Sequence, residues 1–195
     1  MANRTEIAVI LDRSGSMQTI RTDAIGGFNS FLEVQKAVPG EAKFSLVLFD
    51  NHYETPILRK DLKAVEPLTD KTFAPRGSTA LYDAIGRTVN TLGAELANLP
   101  DAERPSKVIV AILTDGMENA SREFNQAQIA EMVKHQEEKY SWEFIYLGAN
   151  QDAFAVSGAL GMRAENTANF SADSIGTRSA YETVSRLTTS YRTKN

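Results

Sequence analysis

The stretch Ile7 to Met17, IAVILDRSGSM, passes from an apolar run to a cluster of oxygen-bearing side chains within a few residues. Ala8, Val9, Ile10 and Leu11 form the short continuous run that a strand covered on both faces requires, and the run stops at Asp12. Asp12, Ser14 and Ser16 then place oxygen donors at alternate positions, with Gly15 loosening the chain between the serines. Such a loop can aim three oxygens at one point, as a hard cation needs.

Two later stretches extend the pattern. Lys107 to Gly116, KVIVAILTDG, repeats the design, a β-branched buried strand followed by Asp115 at its carboxyl end. In an open parallel sheet both strand ends open on one edge, so Asp12 and Asp115 can approach each other. Arg76 to Leu81, RGSTAL, places Thr79 at the expected start of a helix after a glycine-containing turn. Together the three stretches supply two carboxylates and three hydroxyls.

These motifs resemble the metal-ion-dependent adhesion site of von Willebrand factor type A domains, also called integrin I-like domains. Asp12, Ser14 and Ser16 match Asp-x-Ser-x-Ser, Thr79 the isolated threonine, and Asp115 the aspartate of Thr-Asp-Gly, all in the family's order and spacing. The alternation of elements along nearly the whole chain fits as well, although only these motifs are specific. The resemblance implies an α/β fold, a Rossmann-like three-layer sandwich whose mostly parallel central sheet has one antiparallel edge strand and helices on both faces. It also implies a single domain over residues 1–195, of the stand-alone bacterial or phage type, that binds a divalent metal and uses it to capture a partner's acidic residue.

The length, 195 residues, suits one domain with a core that needs no staples. Cysteine is absent, which excludes a disulfide framework, a thiolate metal site and a cysteine nucleophile. No apolar run approaches the ~20 residues of a membrane span, and the amino terminus reaches a strand without a signal-peptide pattern, so a cytoplasmic location is expected. A net charge of −4, with no cluster of Lys and Arg interleaved with aromatics, argues against nucleic acid as a partner. Arg186, Arg192 and Lys194 read as the solvated end of a last helix.

Around the three stretches the expected elements are a strand over 6–11, a helix over 20–37, strands over 43–49 and 53–59, and a helix over 79–99. The Asp115 strand, a helix over 125–139, a strand over 141–147, a helix over 153–160, a short strand over 167–170 and a helix over 175–191 complete the chain. The turn Asp50-Asn51-His52 is so short that the strands flanking it must pair antiparallel, an inference from loop length alone. Gly26 and Gly27 lie inside the first helix at about 1 kcal/mol each relative to Ala, either for close approach to the sheet near the metal loop or as tolerated residues. Residues 60–75 lack periodicity and read as a long connection over the sheet edge, while His52 and His135 read as solvated.

An all-oxygen set selects Mg²⁺, with Mn²⁺ or Ca²⁺ as alternatives, and argues against zinc or copper. Two carboxylates formally neutralise the ion and leave it able to take another carboxylate. A cation could instead activate water, for which Glu118, Asp83 and Asp152 are weak candidate bases. Asp83, one turn beyond Thr79, either orients a metal-bound water or is a solvated first-turn residue. Haloacid-dehalogenase phosphatases need a second Asp two residues after the first, and here that residue is Ser14. No Gly-x-Ser-x-Gly elbow, phosphate loop or dinucleotide fingerprint occurs, so an enzyme is not expected. Arg13, Met17, Arg76 and Met117 are candidate rim residues, Met17 equally a core residue, and the polar run Gly148 to Asp152 serves as rim or as turn and helix cap. The expected function is metal-dependent protein binding in an intracellular complex. By family analogy the partner is an AAA+ ATPase or a stress-resistance component; a virion or assembly-associated adhesion component and, less favoured, a metal-dependent hydrolase are the alternatives.

Overall fold

The β-branched and aliphatic runs at 7–11 and 108–113 have no polar face, so each needs cover on both sides, and a central position in a sheet provides it. The computed structural model describes residues 4–194 and places both runs side by side as β1 (Arg4–Asp12) and β4 (Lys107–Thr114), parallel, with Leu11 opposite Leu113. The other strands are β2 (Glu41–Phe49), β3 (Tyr53–Asp61), β5 (Glu143–Ala149) and β6 (Thr167–Phe170), giving the order β3-β2-β1-β4-β5-β6. Only β3 runs antiparallel, at an edge, as the short turn requires. The helices are α1 (Arg21–Ala37), α2 (Leu81–Ala97), α3 (Gln126–Tyr140), α4 (Ala153–Ala159) and α5 (Ser174–Thr193).

Alternation along β1 divides the core in two. Ile7, Val9 and Leu11 face α1 and α5, packing on Phe28, Phe31, Leu32 and Val184. Ala8 and Ile10 face the other way, with Leu81, Ile85, Val89 and Leu92 of α2 and Ile129 and Val133 of α3. The sheet is thus sandwiched, and its carboxyl edge is left to the loops that follow β1, β2, β4 and β5.

Four details depart from the expectations. The first helix opens with a 3₁₀ stretch, Gly15–Ile20, before α1 begins. Residues 60–75 do more than cross the edge: after β3 a 3₁₀ turn (Leu62–Ala64) follows, and Leu62, Val65, Leu68 and Phe73 are buried in the α1-side core. Asn29 of α1 pins this segment, its amide donating to the Leu68 carbonyl and its oxygen accepting from the Leu68 N–H. Gly27 makes room for α5 rather than for the sheet, since a Cβ there would lie 2.1 Å from the Tyr181 ring, whereas Gly26 has open space. Arg192 is buried, not solvated, and donates to the carbonyls of Gln35, in the last turn of α1, and of Val38, its C-cap. His52 and His135 are exposed, as expected. Among the described residues no helix is long and apolar enough to cross a membrane.

Candidate metal centre

Asp12 ends β1 and is fully buried. Its Oδ1 accepts from the Ser14 N–H at 2.6 Å, which turns the chain sharply back, and its Oδ2 accepts from the Thr114 hydroxyl at 2.6 Å. Thr114 is the last residue of β4, so the parallel register of the two central strands carries it to Asp12. The Ser14 and Ser16 hydroxyls lie 3.1 Å apart, and Ser16 donates to Asp115 Oδ1 at 2.7 Å. These contacts join the β1 and β4 loops.

The third loop is held by its backbone. Gly15 donates to the Gly77 carbonyl at 3.1 Å and Arg76 to the Arg13 carbonyl at 2.8 Å, while Asn119 and Ala120 donate to the Thr79 carbonyl. A Cβ added at Gly116 would stand 3.3 Å from Thr79 Oγ1 and 3.6 Å from Ser16 Oγ, so the hydroxyls of two loops converge where glycine leaves room. Asp12, Ser14, Ser16, Thr79 and Asp115 are therefore brought to one place. Thr79 reaches it from non-helical chain two residues ahead of α2, not from the helix's first turn. Ser16 is exposed while the other four are buried, so solvent meets the cluster on the Ser16 side.

The electrostatics of this cluster are one-sided. Burial pushes the Asp12 carboxyl up to about 6, against the opposing hydrogen bonds from Thr114 and Ser14. Burial likewise raises Asp115, and its Oδ2 is buried with no hydrogen-bond partner. Among the described residues Asp115 is in side-chain contact with a serine hydroxyl and no cationic group. Two carboxylates, three hydroxyls and an idle buried oxygen suit a hard divalent cation in charge and donor chemistry. Among the described residues no three His, Cys, Asp or Glu side chains converge, so an ion here would rest on hydroxyls as well as carboxylates.

The remaining candidates separate into rim and scaffold. Met117 is 65 % exposed two residues past Asp115. Met17 is buried in the α1-side core. Arg13 is buried rather than displayed, its guanidinium pairing with Asp50 at 3.1 Å and with Glu54 at 2.9 Å, and Arg76 pairs with the same two acids. Asp83 is buried rather than solvated, and its two oxygens accept from the amides of Arg122, Glu123 and Phe124. Glu118 is spent in the same way on the amides of Tyr82, Ala120 and Ser121 and the Ser121 hydroxyl. Asp152 caps α4 through the Ala155 amide, and Asn150 and Gln151 donate to the Asp115 and Gly116 carbonyls, bracing the loop that carries Asp115. Sequence reasoning passed over Thr114, although it stands in the Thr-Asp-Gly motif, and over Asn119, whose side-chain oxygen accepts from the Thr79 N–H. Their role depends on neighbours distant in the chain.

With the geometry assembled, the architecture can be compared with solved structures. A von Willebrand factor type A protein from Catenulispora acidiphila superposes at a TM-score of 0.65 with 16% identity, over 100% of this chain and 44% of its own. Proximal thread matrix protein 1 of the mussel byssus, with a zinc-occupied adhesion-site motif, gives 0.64 at 17% identity over 96% of this chain and 46% of its own. The fold is that of von Willebrand factor type A domains. Manganese-loaded TRAP protein from Plasmodium vivax matches at 0.57 and 14% identity, over 92% of this chain and 73% of its own. The chain spans less than half the length of the Catenulispora and mussel proteins. No protein-family model matches the sequence, and no curated protein sequence does.

Proposed function

We propose that this von Willebrand A-type fold is a divalent-cation-dependent protein-binding module, with Asp12, Ser14, Ser16, Thr79 and Asp115 holding the ion. The observation that carries this reading is the idle, buried Oδ2 of Asp115 in a cluster that has two carboxylates, three hydroxyls and no counter-charge. A cation held there supplies positive charge for a partner's Asp or Glu carboxylate. The chain's own residues shape that encounter: Ser16 leaves the cluster open to solvent, and the braced loops hold the donors in place before any partner arrives.

The surroundings favour a protein partner. Among the described residues six large hydrophobic side chains are exposed, and three of them, Met117, Phe154 and Ile175, follow the carboxyl ends of adjacent strands β4, β5 and β6. That places apolar contact area on the edge where the cation would sit, which suits an acidic residue set in an apolar segment. Catalysis is not part of the proposal, because Glu118, Asp83 and Asp152, the candidate bases, all accept from backbone amides. We place the module in a cytoplasmic complex, with an AAA+ ATPase or a stress-resistance component as partner; an adhesion or assembly role would use the same site.

Calorimetric titration of metal-stripped protein with Mg²⁺, Mn²⁺ and Ca²⁺ tests the site, and Zn²⁺ joins the set because the mussel protein's motif holds it. One ion per chain, bound about a hundredfold more weakly by Asp115→Asn, is expected. A folded wild type that binds none of the four overturns the metal reading. Capture of a partner that persists in chelator overturns the mechanism even if the ion binds.

A further inference from the structure

Of the five oxygen donors gathered at the sheet edge, four are steadied by bonds to their own side chains. Asp12 accepts from the Ser14 N–H and the Thr114 hydroxyl, the Ser14 and Ser16 hydroxyls bond each other, and Ser16 donates to Asp115. Thr79 is the exception, because among the described residues its hydroxyl makes no hydrogen bond. Where that hydroxyl points therefore depends on the main chain. The two planar peptides that flank the Thr79 Cα set the direction of its Cβ, and with it the reach of Oγ1.

Asn119 holds both peptides. Its Oδ1 accepts from the Thr79 N–H at 2.9 Å, and its own N–H donates to the Thr79 carbonyl at 3.0 Å. The peptide after Thr79 has further support, since Ala120 donates to the same carbonyl and the Ala80 N–H donates to the Asp50 carbonyl. The peptide before Thr79 is held, among the described residues, by the Asn119 side chain alone. Asn119 is exposed, yet the loop on either side of it is fixed: the Glu118 carboxylate accepts from the Ala120 and Ser121 amides and, across the gap, from the Tyr82 amide in the first turn of α2.

We propose that Asn119 is a positioning residue of the metal centre: its side chain orients the peptide ahead of Thr79 and so aims the Thr79 hydroxyl at the ion. This role rests on the metal reading above. A neutral amide does the work without adding a third carboxylate beside Asp12 and Asp115, so a divalent ion is formally neutralised and no more, and stays able to take a partner's carboxylate. Asn119 also stands four residues past Asp115 on one loop, so the same segment that carries one ligand sets the direction of another from a distant part of the chain.

The test is a double-mutant cycle on the whole chain, read by Mg²⁺ calorimetry. Asn119→Ala removes the acceptor and Thr79→Val removes the hydroxyl it serves, and each alone should weaken Mg²⁺ binding by about tenfold or more. The double variant should bind no more than about twofold more weakly than Thr79→Val, because Asn119 acts through that hydroxyl. A residue that only braces the loop would give losses that multiply. The readout without metal is hydrogen exchange at the Thr79 amide, followed by NMR: about fivefold faster in Asn119→Ala, and restored in Asn119→Asp, which keeps the acceptor at the same shape. Asn119→Gln, whose oxygen stands one methylene further out, should behave as Asn119→Ala does and carries the test should that variant not fold. The proposal is overturned if the Ala and Gln variants bind Mg²⁺ as the wild type does, if the losses multiply, or if Asn119→Asp leaves the Thr79 amide unprotected. A wild type that binds no ion overturns the metal reading and this role with it, whereas a wild type that binds beside unaffected Asn119 variants overturns this role alone.

Discussion

Asp50 and Asp115 lie on the same edge of the sheet, each just past a strand and each buried, yet they are surrounded in opposite ways. Burial alone would raise Asp50, but the His52 amide and the Arg76 and Arg13 guanidiniums together hold it below the usual carboxylate range. Asp115 has a serine hydroxyl on one oxygen and nothing on the other, and burial raises it. The first is a completed ion-pair cluster that ties the β2–β3 turn to the loops carrying Ser14 and Thr79. The second lacks its positive charge. Buried carboxylates are therefore poor guides to function until their counter-charges are counted.

The largest expected effect breaks the completed cluster. Asp50→Ala leaves Arg13 buried with only the half-exposed Glu54 and should cost about 3 kcal/mol or more in urea unfolding. A cost under about 1 kcal/mol would mean that Asp50 and Asp115 differ less than their neighbours suggest. Next comes the same edge without its counter-charge. Asp115→Asn should leave metal-free stability unchanged or raised, yet weaken Mg²⁺ binding by about a hundredfold, or about 2.7 kcal/mol. Measured together, the two substitutions should give opposite patterns, and a destabilised Asp115→Asn would make both carboxylates structural. Mg²⁺ at about 100 times its wild-type Kd should in turn stabilise the wild type by about 2.7 kcal/mol, and Asp115→Asn by only about 0.4 kcal/mol.

The smallest effect is in pH. Asp12, pushed up to about 6 from an ordinary value of 3.8, takes up its proton in the folded state first. Metal-free stability should therefore rise by on the order of 1 kcal/mol as pH falls from 7 toward 5. Asp50, held low, acts with the opposite sign: its contribution is present above its ordinary value and is lost as pH falls through its depressed one. Mg²⁺ should flatten the upper limb, because a bound ion keeps Asp12 ionised. A metal-free protein that loses stability between pH 7 and 5 would contradict the assignment of Asp12 as uncompensated.

Much of this was legible before the structure. The runs at 6–11 and 107–114 are apolar without alternation, so central parallel strands followed, and the three-residue link at Asp50-Asn51-His52 demanded an antiparallel neighbour. Boundaries drifted by one or two residues where caps decide them, as at Ser141, whose φ of 56° ends α3 before β5 begins. Arg192 was misread because a charged residue near a carboxyl terminus looks solvated until the Gln35 and Val38 carbonyls are found beside it. Glu118, Asp83 and Arg13 stood at the right edge with the right chemistry, and their partners removed them from it.

What the sequence determined by itself is local: which segments must be covered on both faces, where each ends, and which oxygens stand at those ends. Apolar period and residue type act over a few residues, so they can be read along the chain. Tertiary structure decided which carboxylate is answered and which is not. Asp50 meets its guanidiniums across 26 and 37 residues, and Asp115 meets Ser16 across 99 and finds no cation. Charge balance at a buried site is a sum over neighbours in space, and it exists only once the sheet has brought those loops to one edge.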